Sequence, residues 1–206
     1  YNYADSLNGS QIGLVNVAIT HPRGVQIGLV NYTRDTIANK IGLVNINPNT
    51  RIDFMAFGGT SSKINGALRF RNRSTYSIIG FGSHYMGLDT KFSGAIYYRL
   101  GQYVNLSPRL SLSGDVGYYH IETFDGDSDN PERLHSLQAH INADYQINPT
   151  LGLYASVGYG DTRFYAHNRH YKNGFIGQLG LTFKYNRGNS SDTHFLHKAK
   201  SQAGES

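Results

Sequence analysis

Between Tyr76 and Tyr185, apolar and aromatic side chains occupy every second position over stretches of about ten residues or more, and small or polar ones fill the rest. Because successive residues of a β-strand point to opposite faces, this pattern predicts sheets with one apolar and one polar face. The stretch 134–147 shows it most fully. Its apolar face carries Leu137, Ala139, Ile141, Ala143, Tyr145 and Ile147, and its polar face carries Gln138, His140, Asn142, Asp144 and Gln146. The polar set does not suit the core of a water-soluble protein.

The same alternation recurs in 109–119, 151–159 and 175–185. A soluble β-sandwich or lipocalin-like barrel alternates too, but its strands average about 5–6 residues, whereas a tilted strand needs about 9–11 to span a bilayer. Aromatic side chains lie toward the strand ends, where membrane barrels have girdles: Tyr103, Tyr118, Tyr119, Phe124, Tyr145, Tyr159, Phe164, Tyr165, Phe183 and Tyr185. The sequence therefore predicts an all-β, antiparallel transmembrane β-barrel.

Composition narrows the class of protein further. The chain has 206 residues, no cysteine and a formal net charge of +5, so disulfides and cysteine-based sites are excluded. Its basic residues are scattered, which argues against a nucleic-acid partner and favours the phosphates of outer-membrane lipid and lipopolysaccharide. Apolar runs are too short for a transmembrane helix. The first residues lack the features of an export signal, so we expect a mature form from which a signal peptide has been removed.

A repeat occupies the first part of the chain. Gln11–Asn16, Gln26–Asn31 and Lys40–Asn45 share the sequence Ile-Gly-Leu-Val-Asn after their first residue, at spacings of 15 and 14. Near-identical units imply identical environments, so we expect one short strand per unit, the strands lying side by side. A parallel stack puts Ile, Leu and Asn on one face and forms an asparagine ladder from Asn16, Asn31 and Asn45. It also makes Asn31 more sensitive to replacement than the terminal Asn16. An antiparallel meander fits too, because the glycines allow close backbone approach.

The chain divides into three predicted regions: residues 1–50 as the repeat region, 51–186 as the barrel and 187–206 as a polar tail. The barrel divides into eight predicted strands: 51–58, 63–72, 74–86, 91–104, 109–124, 133–147, 150–166 and 173–186. Short connections at 72–73, 106–108 and 148–149 alternate with longer ones at 87–90, 125–132 and 167–173, as in outer-membrane barrels. The repeats form either a plug or solenoid, or extra strands that raise the count to eleven or twelve.

Two stretches, 152–160 and 177–185, resemble strands of small bacterial outer-membrane β-barrel proteins, and the repeats resemble those of bacterial surface proteins of unassigned role. The first resemblance covers about two thirds of the chain and implies location in the bacterial outer membrane. One departure is that the last strand of such barrels usually ends the protein with an aromatic residue, whereas 21 residues follow Tyr185.

The polar faces carry charges that would meet in the lumen: Arg99, Asp115, His140, Asp144 and Lys184. The lumen of an eight-stranded barrel is just wide enough for side chains to fill it. Because unpaired buried charge is costly, we expect these residues to neutralise one another structurally. A wider barrel would instead leave an ion path.

Histidines near strand ends raise the alternative of an enzyme: His84, His120, His135, His140, His167 and His170. The segment 169–173 faintly resembles the His-x-Ser-Asn motif of lipid A deacylases, but Lys172 stands where the nucleophilic serine would be. His167 and His170 lack a carboxylate partner for a metal. The acidic segment 125–130 resembles the start of a calcium loop without its glycine and glutamate.

No cofactor, metal or catalytic residue is therefore expected. The function we expect is a structural or interaction role: a lipid-embedded scaffold that presents loops and repeats, with another envelope protein as a further candidate partner. A narrow pore for small solutes is the first alternative, and a lipid-modifying or proteolytic barrel enzyme is the second.

Overall fold

A computed structural model describes residues 1–20, 24–34, 39–72, 74–84, 92–124, 133–166 and 168–185. The repeat region contains β1 (Asn2–Ser6), β2 (Ser10–Ile12), β3 (Val15–Thr20), β4 (Val25–Ile27), β5 (Val30–Thr33), β6 (Asn39–Ile41) and β7 (Val44–Ile46). The barrel contains β8 (Arg51–Gly59), β9 (Asn65–Arg71), β10 (Thr75–Ser83), β11 (Phe92–Asn105), β12 (Leu110–Phe124), β13 (Arg133–Gln146), β14 (Leu151–Phe164) and β15 (His170–Tyr185). The described residues contain no helix long and apolar enough to cross a membrane.

Strands β8 to β15 form a closed antiparallel barrel in which β15 pairs with β8. The predicted fold class is thus confirmed. The alternative of eleven or twelve strands is wrong, because the repeats pair only with one another and leave the barrel at eight. Closure leaves no free sheet edge in the wall, so every wall strand has a hydrogen-bonding neighbour on each side.

The barrel is apolar outside and polar inside. In β12 the buried residues Ser111, Ser113 and Asp115 alternate with the outward Leu112 and Val116. Apolar residues of the other alternating stretches, which a membrane barrel is expected to turn toward lipid, also point outward: Ile141, Ala143, Leu153 and Leu181. This distribution follows from the alternation along each strand, because successive side chains point to opposite faces of the sheet.

The aromatic girdle differs from the prediction in three positions. Tyr119 is buried in the lumen, and Tyr103 and Phe164 pack against the same interior cluster. Their strand parity places them on the inner face, where an eight-stranded barrel needs bulky side chains to fill its lumen. The others are exposed, for example Tyr118, Tyr145 and Tyr159.

The repeats stack in parallel as a small solenoid. Strands β1, β3, β5 and β7 form one sheet, and β2, β4 and β6 form a second. Asn16 is in register with Asn31, and Asn31 with Asn45. The antiparallel meander and the expectation of one strand per unit are both wrong, because the chain bends at each Gly-Leu pair and continues in the other sheet.

That bend also separates residues expected on one face. Asn16 and Asn31 are fully buried, whereas Ile12 and Leu14 are 71% and 69% exposed. Isoleucine and leucine thus lie outside the solenoid and asparagine lies inside it.

The last repeat meets the barrel near the turn between β9 and β10. Asn72 Nδ2 donates to the carbonyl of Asn45 over 3.0 Å, and Thr50 Oγ1 donates to Asn72 Oδ1 over 2.7 Å. On the outer wall, the hydroxyl of Tyr98 donates to the carbonyl of Leu43 over 3.1 Å. The solenoid is therefore fastened to the end of the barrel that carries the short turns.

Several predicted features lie outside the described residues. They are the connection 125–132 with its acidic segment 125–130, the loop 87–90, His167, Arg73 and the tail 187–206, together with residues 85, 86, 91 and 186 at strand ends.

Candidate functional site

The lumen near the short turns contains a cluster of paired charges. Arg69 lies between Asp53 and Asp144, with Nη2 2.9 Å from a carboxylate oxygen of each. Arg71 Nη2 donates to Asp144 Oδ2 over 2.8 Å, and its guanidinium lies over the ring of Tyr103. Strands β8, β9 and β13 thus supply one buried network that spans the barrel.

A second cluster is centred on Asp115 in β12. Arg99 binds this carboxylate through two hydrogen bonds of 2.7 Å each, from Nε and Nη2. His140 Nδ1 lies 3.0 Å from Oδ1, and the hydroxyl of Tyr76 donates to Oδ2 over 2.6 Å. Asn142 donates to the same carboxylate and accepts from Tyr154. Five side chains from four strands converge on the Asp115 carboxylate or its immediate hydrogen-bond partner.

Beyond the charges, rings fill the lumen. Tyr97 stacks on Tyr119 with centroids 4.7 Å apart, and Phe57 lies 5.3 Å from Tyr154. Further apolar side chains complete this layer: Met55, Ala67, Ile78, Ala95, Ile121 and Leu134.

Paired charges and packed rings occupy the lumen in the described part of the chain. Arg69 and Arg99 are buried, as are Tyr76 and Tyr154. A buried guanidinium is tolerated when its charge is neutralised. The bidentate pairing of Arg99 with Asp115 neutralises it and uses Nε and Nη2, whereas Nη1 is buried without a hydrogen-bond partner. These large side chains lie in the lumen, where a solute path would run.

The residues predicted for the lumen network fall into two groups. Arg99, Asp115 and His140 meet in the central cluster, whereas Asp144 belongs to the cluster nearer the turns. Lys184 is half-buried on β15 and lies opposite Asp53 in strand register.

Alternation placed Asn142 and Tyr154 on polar faces without assigning them to the network, and sequence reasoning did not assign four further members of these clusters: Asp53, Arg69, Arg71 and Tyr76. Their strand parity could have identified them, because Arg69 and Arg71 alternate with the outward Leu68 and Phe70 as the other lumen residues do.

The histidines do not assemble a nucleophilic site among the described residues. His140 is buried, and its partner Asp115 is already held by Arg99. On the outer surface, His120 lies 3.4 Å from Glu122 and His170 lies 3.2 Å from Asp161. The expectation that His170 has no carboxylate partner is therefore wrong, because pairing of β14 with β15 brings Asp161 beside it. The hydrogen bonds of these described histidine side chains reach carboxylates or a tyrosine, not a serine or threonine hydroxyl. His84 is buried near the ring of Tyr119, and His135 packs against Tyr118 and Tyr165.

The described residues hold no cluster of three or more histidine and carboxylate side chains suited to a metal.

On the outer wall, exposed apolar residues form a continuous belt. On β14 it extends from Leu151 to Tyr159, eight residue steps, or ~26 Å along the strand at ~3.3 Å per residue. Toward the long loops the belt ends at a polar collar, where Arg133 pairs with Glu122 over 3.2 Å and Arg163 with Asp161 over 2.8 Å. Because strands of outer-membrane barrels tilt by about 35–45°, this length corresponds to a band roughly 20 Å tall, somewhat shorter than the usual apolar band of about 25 Å.

The solenoid has the same reversed polarity as the barrel. Its interior holds a ladder in which Asn2 donates to Asn16, Asn16 to Asn31 and Asn31 to Asn45, over 2.8 to 2.9 Å. Gln26 donates to Gln11 over 2.7 Å in the facing sheet. At the bends, exposed isoleucines and leucines form what we call the apolar ridge: Ile12, Leu14, Ile27, Leu29, Ile41 and Leu43.

No protein-family model matches the sequence, and no curated protein is significantly similar to it. Among solved structures, a de novo designed transmembrane β-barrel is 14% identical with a TM-score of 0.45, over 66% of this chain and 95% of its own. The N-terminal barrel domain of Pseudomonas aeruginosa OprF is 12% identical with a TM-score of 0.45, over 66% and 97%. Yersinia pestis Ail in a phospholipid nanodisc is 13% identical with a TM-score of 0.42, over 66% and 98%. Likeness at this level carries no information on activity.

Proposed function

We propose that the protein is a scaffold embedded in the bacterial outer membrane, with a structural or interaction role rather than a transport role. The observation that supports this most directly is the reversed polarity of a closed barrel: an apolar outer wall surrounds a lumen filled by paired charges and rings. Lipid is the solvent that suits such a wall, because a soluble monomer rarely exposes more than a few hundred Å² of contiguous apolar surface. The scaffold holds loops at one end and the repeat solenoid at the other.

Lipid and lipopolysaccharide are the proposed partners. The polar collar at the loop end carries Arg133, Arg163 and His170 on the outer surface. In an outer membrane these side chains lie at the level where lipid phosphates are found, and cationic side chains near an anionic surface are attracted to it.

Detergent dependence tests the membrane assignment. We expect gel filtration to give a monodisperse species only in detergent or lipid, and a monodisperse monomer in plain buffer would refute the assignment.

Conductance in planar bilayers tests the closed lumen. The native protein should show no channel openings above those of the bare bilayer. Replacing Arg99 and Tyr154 together by serine removes two of the largest buried lumen side chains, and this variant should raise the conductance if it folds. Openings by the native protein would instead support the pore.

A further inference from the structure

The hydrogen bonds inside the solenoid do not explain the composition of its outer surface. The asparagine ladder and the Gln11–Gln26 contact satisfy many of its buried amides internally. Its outer surface is the unusual part, because the apolar ridge is exposed: Leu14 by 69%, Leu29 by 48% and Ile41 by 62%. A water-soluble solenoid normally has the opposite distribution, with apolar side chains inside.

The ridge is continuous with the lipid-facing wall of the barrel. Leu43, its last residue, receives the hydrogen bond of Tyr98, which lies on the outer face of β11 between the exposed Ile96 and Leu100. Strand β7 contacts β9, and Val44 is buried although its counterparts Val15 and Val30 remain half-exposed. The last repeat therefore packs against the wall, and the ridge leads away from the belt without an intervening charged residue.

The described charged residues of the repeat region lie outside the apolar ridge or point into the solenoid. The units that form the ridge, residues 10–16 and 25–31, contain no charged residue. In the third unit, Lys40 directs its amine inward to Thr33 Oγ1, 2.8 Å away, and to the carbonyl of Ile46. Exposed charge in the described repeat region occurs instead at Asp5 and Arg34, outside these units.

From these observations we propose that the apolar ridge inserts into the lipid leaflet surrounding the short-turn end of the barrel. The occupant of the ridge is the lipid bilayer itself, so the solenoid is an interfacial anchor beside the barrel. Insertion is shallow, because a solenoid has sheet edges whose backbone groups still need water or headgroups. The inference rests on the proposed membrane function and adds a second lipid-contacting surface to it.

Site-directed fluorescence on the full chain tests the inference, since the protein has no cysteine. Single variants Ile12→Cys and Leu29→Cys carry an environment-sensitive thiol dye, and the protein is reconstituted in phosphatidylcholine vesicles with or without nitroxide-labelled phosphatidylcholine. Ile141→Cys, on the outer wall of the barrel, is the lipid-facing control. Asn8→Cys, an exposed polar position of the solenoid away from the ridge, is the aqueous control.

We expect the nitroxide lipid to quench the dye at Ile12 and Leu29, as at Ile141, and aqueous iodide to quench it at Asn8. Quenching at Ile141 without quenching at either ridge position would overturn the inference and leave the proposed function standing. Such a ridge would be free in water or covered by another copy of the chain. Absence of lipid quenching at Ile141 would instead refute the membrane function itself, and the inference with it. Two ridge positions guard against a variant that fails to fold.

Discussion

At the level of single residues, Arg99 shows how a charge is kept inside this barrel. Its side chain is fully buried and makes two 2.7 Å hydrogen bonds with Asp115. Both charges lie away from water, so each depends on the other for neutralisation. Removing one partner of such a pair is therefore more damaging than removing both.

Arg99→Met should lower the free energy of unfolding by about 3–5 kcal/mol, because Asp115 is left as a buried charge without its main counterion. Urea unfolding in lipid vesicles measures the change. Adding Asp115→Asn should restore part of the loss.

The control is Arg163→Met, which breaks the exposed 2.8 Å pair with Asp161. An exposed pair contributes about 1 kcal/mol or less. If Arg99→Met and Arg163→Met lower the free energy of unfolding equally, then the buried ion pair contributes no more to stability than the exposed one.

The lumen also shows which of its features the alternation of residues predicts and which it does not. Alternation placed Arg99, Asp115 and His140 on the inner face because a one-residue step decides the face of a strand. Which of them meet depends on register between strands, which alternation within one strand does not determine. For this reason Asp144 joined Arg69 and Arg71 of a distant strand, a pairing with no local signal.

At the level of elements, glycine controls the stacking of the repeats. A Cβ on Gly28 would lie 2.0 Å from the carbonyl oxygen of Gly13, and one on Gly42 would lie 2.1 Å from that of Gly28. Backbone cannot move aside locally without separating the strands. The glycine of each Ile-Gly-Leu unit is therefore required wherever another unit stacks before it.

Gly28→Ala should destabilise the repeat region by about 1–3 kcal/mol, the usual cost of overpacking. Hydrogen exchange of β3 and β5, followed by mass spectrometry, reports the loss of protection. Gly13→Ala is the matched control, since the nearest atoms to its Cβ would be side-chain atoms of Asn2 and Asn16, the closest at 2.6 Å, and no backbone atom is among them. If both variants exchange at the same rate, close backbone approach is not what selects glycine here.

The asparagine ladder requires a change to the sequence-based expectation. Asn16 was expected to be terminal and so less sensitive than Asn31, but Asn2 donates to it and extends the ladder by one rung. Asn2 lies outside the repeated motif, so the repeat itself gave no sign of it. Asn16 and Asn31 now have equivalent positions, each with an asparagine on both sides.

Asn16→Leu and Asn31→Leu should destabilise the repeat region equally, by about 1–3 kcal/mol, because each leaves buried amide groups unsatisfied. Asn2→Leu should cost less, since Asn2 is half-buried and ends the ladder. Exchange rates of the β3, β5 and β7 amides measure all three. A larger effect at Asn2 than at Asn31 would be incompatible with the ladder.

The solenoid marks the limit of sequence reasoning at this level. The repeat predicted neighbouring copies and their aligned asparagines, since equal sequences adopt equal environments. It did not predict the bend between Ile-Gly and Val-Asn. A five-residue unit is compatible with either one strand or two strands around a corner, and only the path of the whole coil decides between them.

At the level of the whole molecule, two units of reversed polarity are joined by a small polar contact. The side chain of Asn72, in the turn after β9, bonds to the backbone of Asn45 and to the side chains of Asn47 and Thr50. Tyr98 adds the contact to Leu43 on the outer wall. These hydrogen bonds hold the last repeat against the barrel. This contact places the apolar ridge of the solenoid beside the apolar belt of the barrel.

Asn72→Ala should loosen the solenoid while leaving the barrel intact, because the residues that its side chain bonds belong to the last repeat and its connection to β8. Hydrogen exchange should accelerate in residues 44–50, and further when Tyr98→Phe is added, with the rates of β12 to β14 unchanged. Ser107→Ala is the control, since Ser107 lies in another short turn and its side chain bonds only within that turn. Acceleration in β12 to β14 as well would mean that Asn72 stabilises the barrel rather than the joint. No acceleration in residues 44–50 would place the attachment of the repeats elsewhere, in the packing of Val44 and Leu43 against the outer wall.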